Sequence, residues 1–169
     1  AGLIVFNLFG ETISRAPSLV LNNPNYVKKV VFPLEILPMI TLLSTLFHGM
    51  ISLGVWLIAY LIFFGLPHVT VLYLPLIMLP FLLFILGLSW GLASLGVFLR
   101  DVSQFIGTII TVLMFMSPIF YPVTALPEEF RQWLYLNPLT LVVEQARDAL
   151  YWGKAPNFLM LGIYTLISA

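Results

Sequence analysis

From Ile36 to Leu99 the chain carries no Asp, Glu, Lys or Arg, a run of 64 residues. A single helix of that length would reach about 96 Å at 1.5 Å per residue, whereas the hydrocarbon core of a bilayer is about 30 Å thick. The run has to fold back on itself. Its one strong turn signal is Phe64-Gly65-Leu66-Pro67-His68, where Gly and Pro punctuate otherwise apolar sequence. The pattern therefore predicts one membrane span over 36–63 and a second over 72–98. Arg100-Asp101 returns the chain to water, and a second uncharged stretch from Val102 to Pro127 opens a third span over 102–117.

The third span is interrupted by Ser117-Pro118-Ile119-Phe120-Tyr121-Pro122. Each proline removes a backbone donor and clashes with the preceding turn, so the helix is expected to break near 117. Pro127-Glu128-Glu129 reads as a new helix start, with carboxylates near the positive end of the helix dipole. Asn137-Pro138 repeats the device, with Asn as cap, and opens a helix through Ala149; Gly153 suits its C-terminal end. Segments 118–135 and 138–152 are too short or too polar to cross alone. They are expected at the interface or dipping in and returning, within a broken external region over 118–153. Irregular backbone at that depth needs cover from protein or a water-filled cavity.

Both ends are apolar. The opening residues AGLIVFNLFG and the closing run NFLMLGIYTLISA are shorter than the roughly 20 residues that a crossing needs. They read as the end of one span (1–16) and the start of another (156–169), as in a fragment cut inside two spans.

Composition agrees with lipid as part of the solvent. Of 169 residues, 61% are hydrophobic and 8% charged, against about 25% charged in soluble domains. The net charge is zero, which gives no basic footprint for nucleic acid. The absence of cysteine excludes disulfides and thiolate chemistry. The expected fold is an all-α polytopic membrane protein.

One segment breaks the apolar pattern. Asn23-Pro24-Asn25-Tyr26-Val27-Lys28-Lys29-Val30-Val31-Phe32-Pro33 leaves the lipid between two apolar regions. Counting crossings, it shares a side with Arg15 and Arg100, four basic residues against three (Arg131, Arg147, Lys154) on the other side. The positive-inside rule then favours the cytosol for this side, by one residue.

The order of these pieces carries a resemblance. A polar segment with NPNYVKK and FP, two charge-free spans, Leu99-Arg100-Asp101, SPIFYP, Leu126-Pro127-Glu128-Glu129-Phe130-Arg131 and Leu136-Asn137-Pro138-Leu139 together resemble the membrane subunit of ABC-2 type exporters. The nearest branch is the one that exports O-antigen, capsule or teichoic acid chains. The resemblance covers essentially the whole chain. It implies a six-span subunit, here lacking the first span, that works as a homodimer with two cytosolic ABC ATPase subunits in the bacterial inner membrane. It implies a lipid-linked polysaccharide as cargo, and no cofactor on this chain, with ATP and Mg bound by the partner ATPase. It assigns 17–33 to the cytosolic coupling segment, with Asn25, Tyr26, Lys28, Lys29, Phe32 and Pro33 facing the motor. Gly153-Lys154-Ala155 lacks the upstream glycine and the hydroxyl of a phosphate-binding loop.

Other residues carry two readings each. Glu11 and Arg15, four apart in the favourable order, read as an interfacial ion pair or, with Arg100 and Asp101, as a cytosolic gate. Glu35 suits the N-terminal turn of the helix that follows it. His48 is the one ionisable group deep in a span, a functional position by default or a neutral histidine hydrogen-bonded between helices. His68 reads as solvated. Gly87 and Gly91, followed by Ser94 and Gly96, allow close helix approach, either within the subunit or at a dimer seam. Phe115, Phe120, Tyr121, Trp133 and Tyr135, with Tyr151 and Trp152, read as an interfacial belt or as rings lining a glycan exit. A secondary carrier, with its coupling-ion groups at midplane, fits poorly. An intramembrane enzyme fits worse, because the spans hold no carboxylate pair or Ser–His constellation.

Overall fold

The computed structural model describes residues 2–23, 34–66, 68–99, 101–121, 127, 134 and 137–168. Among these residues the chain is helical, without strands. Its helices are α1 (Gly2–Arg15), α2 (Ile36–Phe64), α3 (Leu74–Phe98), α4 (Val102–Met116), α5 (Pro138–Arg147) and α6 (Phe158–Ser168). Short 3₁₀ turns at Ala16–Ser18 and Val69–Tyr73 and a π turn at Asp148–Trp152 join them.

Helix α1 is the hub and packs on α2, α3, α4 and α5. Its buried positions Gly2, Val5, Phe6, Phe9, Thr12 and Ile13 follow the three- and four-residue spacing of one helical face. Phe9 stacks on Phe81 of α3 with ring centroids 6.3 Å apart. Pro17 ends the helix at a 3₁₀ turn, and that turn lies against α3. A methyl group at Gly96 would collide with the Pro17 carbonyl, so this glycine, of the four small residues in its stretch, makes the close backbone approach.

Among the described residues, helices α2 and α3 are the two elements long and apolar enough to cross a membrane. Helix α2 has 29 residues, about 43 Å of rise, and its buried residues Leu37, Pro38, Thr41, Leu42 and Thr45 all lie in its first half. Thr45 Oγ1 meets Thr12 Oγ1 of α1 at 2.7 Å, a fully enclosed bond between helices. Gly65, at φ +86°, ends α2 in a conformation that L side chains disfavour. The next element starts as the 3₁₀ turn Val69–Tyr73 rather than as regular helix, and α3 begins at Leu74 with Pro75 in its first turn. Its buried face, Ile77, Phe81, Ile85, Ser89, Leu92 and Gly96, runs the length of the helix and packs on α1 and α6.

Helix α4 ends at Met116, where Ser117 adopts extended backbone at ψ 144°. The residue before a proline is pushed out of the helical region, and Pro118 follows. Helix α5 is short, yet Leu139, Val142, Val143 and Ala146 are fully buried against the bundle. One face of it is therefore packed on protein. Its polar start is satisfied locally: Asn137 Oδ1 accepts from the Leu139 N–H at 3.0 Å. After the π turn, Gly153 takes φ +62° and its N–H returns to the Asp148 carbonyl.

Candidate functional site

Two polar constructions stand out in this apolar frame. The first is a groove of about 390 Å³ between α1 and α2, with Ile110 of α4 on its border. Asn7 and Glu11 face it from α1; Thr45, His48 and Ser52 face it from α2. Glu11 sits at its centre. Its Oε1 accepts from Arg15 Nη2 at 2.7 Å and lies 3.4 Å from His48 Nδ1. Ser52 donates to the His48 carbonyl at 3.0 Å. The histidine thus meets a neighbouring helix through a carboxylate, and more than half of its side chain remains exposed. Asp101 is not part of this group: it precedes α4, where its carbonyl accepts from the Gln104 and Phe105 N–H groups. Arg100, the fourth expected gate residue, lies outside the described residues.

The second construction closes the SPIFYP and LNPL segments onto each other. Asn137 Nδ2 donates to Ser117 Oγ at 2.9 Å. Arg147, at the end of α5, donates from Nη2 to the carbonyls of Pro118 at 2.6 Å and Ile119 at 3.0 Å. Its Nη1 donates to Tyr121 O at 3.4 Å. The chain after α4 presents carbonyls without helical partners, and a guanidinium fork with five donors suits them. Sequence reading counts Arg147 only as a charge on one side of the membrane. The signal that could have found it is a lone cation one helix beyond a double-proline break.

The aromatic candidates divide. Phe115 and Phe120 are exposed, at 70% and 63%. Tyr121 is half-buried and donates to Phe115 O at 3.4 Å. A cavity of about 410 Å³ here is lined by Phe120, Tyr121, Arg147, Tyr151 and Trp152. Trp133 and Tyr135 lie outside the described residues, as do all six coupling residues, Asn25, Tyr26, Lys28, Lys29, Phe32 and Pro33.

Sequence reading missed a further aromatic group. Trp56 Nε1 donates to Tyr151 OH at 3.0 Å, and the Trp56, Tyr60 and Phe64 rings follow one another at 5.1 and 5.2 Å. Their spacing of four along α2 was a legible signal. His68, read as solvated, is exposed; its imidazole also borders Gly153, whose α-carbon has no room for a methyl group beside it. Gly87 and Gly91 face open space on α3 among the described residues, so they do not serve packing within this part of the subunit. Glu35 precedes α2 without a side-chain cap, and its carbonyl accepts from Trp90 Nε1 at 2.9 Å.

The family model described as ABC-2 type transporter matches residues 1–151. The chain belongs to that family. A search among curated proteins finds no match. An ABC-2 membrane domain is a transport permease rather than a catalytic domain, and the family typically works with ABC ATPase partners. The permease is thus a membrane transport subunit, and its exposed polar groups on α1 and α2 need a physical account beyond lipid contact. Ionisable groups facing hydrocarbon are costly; they face a bundle interior or a water-filled path.

Proposed function

We propose that this permease moves a lipid-linked polysaccharide of the O-antigen, capsule or teichoic acid kind across the bacterial inner membrane. It does so as a homodimer driven by two ABC ATPase subunits, which bind the ATP and Mg. The observation that carries the reading is the paired SPIFYP and LNPL motifs, joined through Asn137 and Ser117 at 2.9 Å and clamped by Arg147. This fixes a broken, aromatic-rich region on one side of the bundle. There Phe115 and Phe120 stay exposed and offer flat apolar surfaces that grip sugar faces without demanding one hydroxyl pattern. The coupling segment 17–33 is assigned the ATPase stroke, with Tyr26 as aromatic anchor and Lys28 and Lys29 meeting acidic neighbours.

A second reading is an ABC-2 permease for a small lipid or drug. The observation favouring it is an apolar cavity of about 330 Å³ lined by Leu8, Leu46, Met50, Met78 and Leu82, among others. One experiment decides between them. The full-length permease is co-purified with its ATPase, reconstituted in vesicles, and assayed for ATP-dependent movement of lipid-linked glycan and of a fluorescent short-chain phospholipid. Glycan movement supports the first reading. Movement of the phospholipid alone overturns it in favour of the second.

A further inference from the structure

We propose that the groove holding Asn7, Glu11, Thr45, His48 and Ser52 is a binding site for a neutral sugar unit of the translocated chain, held through its hydroxyls. The inference rests on the glycan reading above and adds a polar sugar site distinct from the exit aromatics. Three observations carry it.

The first is placement. Ser44, His48 and Ser52 recur every four residues along α2 and are all exposed, as are Asn7 and Ser14 on α1. Ser14 and Ser52 bond carbonyls of their own helices, whereas Asn7, Glu11 and His48 do not suit hydrocarbon and favour water, a polar ligand or protein on this face. The second is donor and acceptor chemistry. The Glu11 carboxylate only accepts, the Asn7 amide both donates and accepts, and imidazole and hydroxyl groups do either. A polyol, whose every hydroxyl both donates and accepts, matches such a mixed set. Apolar wall residues Ile4, Phe6, Leu8 and Ile110 provide a surface for the C–H face of a ring. The third is charge. Arg15 pairs with Glu11 at 2.7 Å, so the guanidinium offsets the carboxylate charge at the groove. That disfavours a metal ion or a phosphate and favours an uncharged ligand. At about 390 Å³ the space falls in the range of roughly 300–1,000 Å³ common to small-molecule sites.

Residues 1–169 contain no cysteine, so a single cysteine placed here reports on the groove once any cysteines elsewhere in the full-length permease–ATPase complex are replaced by serine. Ser52→Cys is labelled with a water-soluble maleimide, with and without free glucose, galactose, mannose, rhamnose or N-acetylglucosamine, and with potassium chloride or inorganic phosphate as controls. The expected result is labelling that at least one sugar slows by about tenfold, the equivalent of about 1.4 kcal/mol, and that neither salt slows. Asn7→Leu, a separate exposed position, is expected to raise the glycan concentration for half-maximal ATPase stimulation about tenfold, leaving the maximal rate unchanged. Absence of labelling, or labelling that no sugar slows, overturns the site. If the wild-type complex exports glycan in the same preparation, the glycan reading survives that failure. If sugar slows labelling but no glycan is exported, the glycan reading fails, and with it the assignment of this site to the transported chain.

Discussion

Asn137 uses both ends of its amide: Nδ2 donates to Ser117 Oγ at 2.9 Å, and Oδ1 accepts from the Leu139 N–H at 3.0 Å. One side chain therefore starts α5 and ties it to the end of α4. Asn137→Ala is expected to lower stability by about 1–2 kcal/mol, the usual cost of losing a cap, with the Ser117 bond lost as well. Asn137→Asp keeps the acceptor and loses the donor, and is expected to retain more than half of that stability. Thermal unfolding of the detergent-purified complex reads both. Equal loss in the two variants would assign the whole effect to the tie with Ser117.

The Arg147 fork makes a sharper demand. Arg147→Met leaves the Pro118, Ile119 and Tyr121 carbonyls without their cationic donor, at an expected cost of about 2 kcal/mol or more. Arg147→Lys keeps the charge but not the planar fork, and is expected to recover less than half of the loss. Protease susceptibility of the 118–121 segment in membranes follows the same order. A Lys variant indistinguishable from wild type would show that charge alone suffices there.

Gly153 meets two constraints at once, φ +62° and an imidazole that an added Cβ would approach to 2.6 Å. Gly153→Ala is expected to cost about 1–2 kcal/mol for the backbone, plus the steric conflict. His68→Ala in the same chain relieves only the conflict. Gly87→Ala, which meets nothing within 4 Å among the described residues, is expected to change thermal stability by less than about 0.5 kcal/mol. A large loss at Gly87 would locate a partner surface on that face of α3.

For the coupling segment, the double variant Lys28→Glu with Lys29→Glu is expected to insert normally and hydrolyse ATP while exporting little or no cargo. Paired ATPase and transport assays on the same vesicles check this. Unchanged transport per ATP hydrolysed would remove the lysines from the coupling contact.

Much of the helical layout was legible because charge-free runs and prolines act locally. A 64-residue uncharged stretch must fold back, and Asn137-Pro138 caps a helix through its own neighbours. What stayed hidden depends on helix rotation. His48 meets Glu11 because the Thr12–Thr45 bond fixes how α1 and α2 face each other, and no spacing within either helix encodes that angle. The burial of α5 was hidden for a related reason. Asn137 satisfies the helix start locally and Arg147 turns its charge onto carbonyls, so a short polar helix packs one face among apolar neighbours.

The uneven burial of α2 has a mechanical consequence. Its first half holds all of its buried residues and packs on α1, whereas its far half is held, among the described residues, through partly buried Leu53 and Trp56 and the ring contacts of Trp56 and Tyr60 with Tyr151. A stiff rod about 43 Å long, anchored at one end, behaves as a lever. Each degree of tilt about the packed half would carry the tip sideways by about 0.75 Å by the same length.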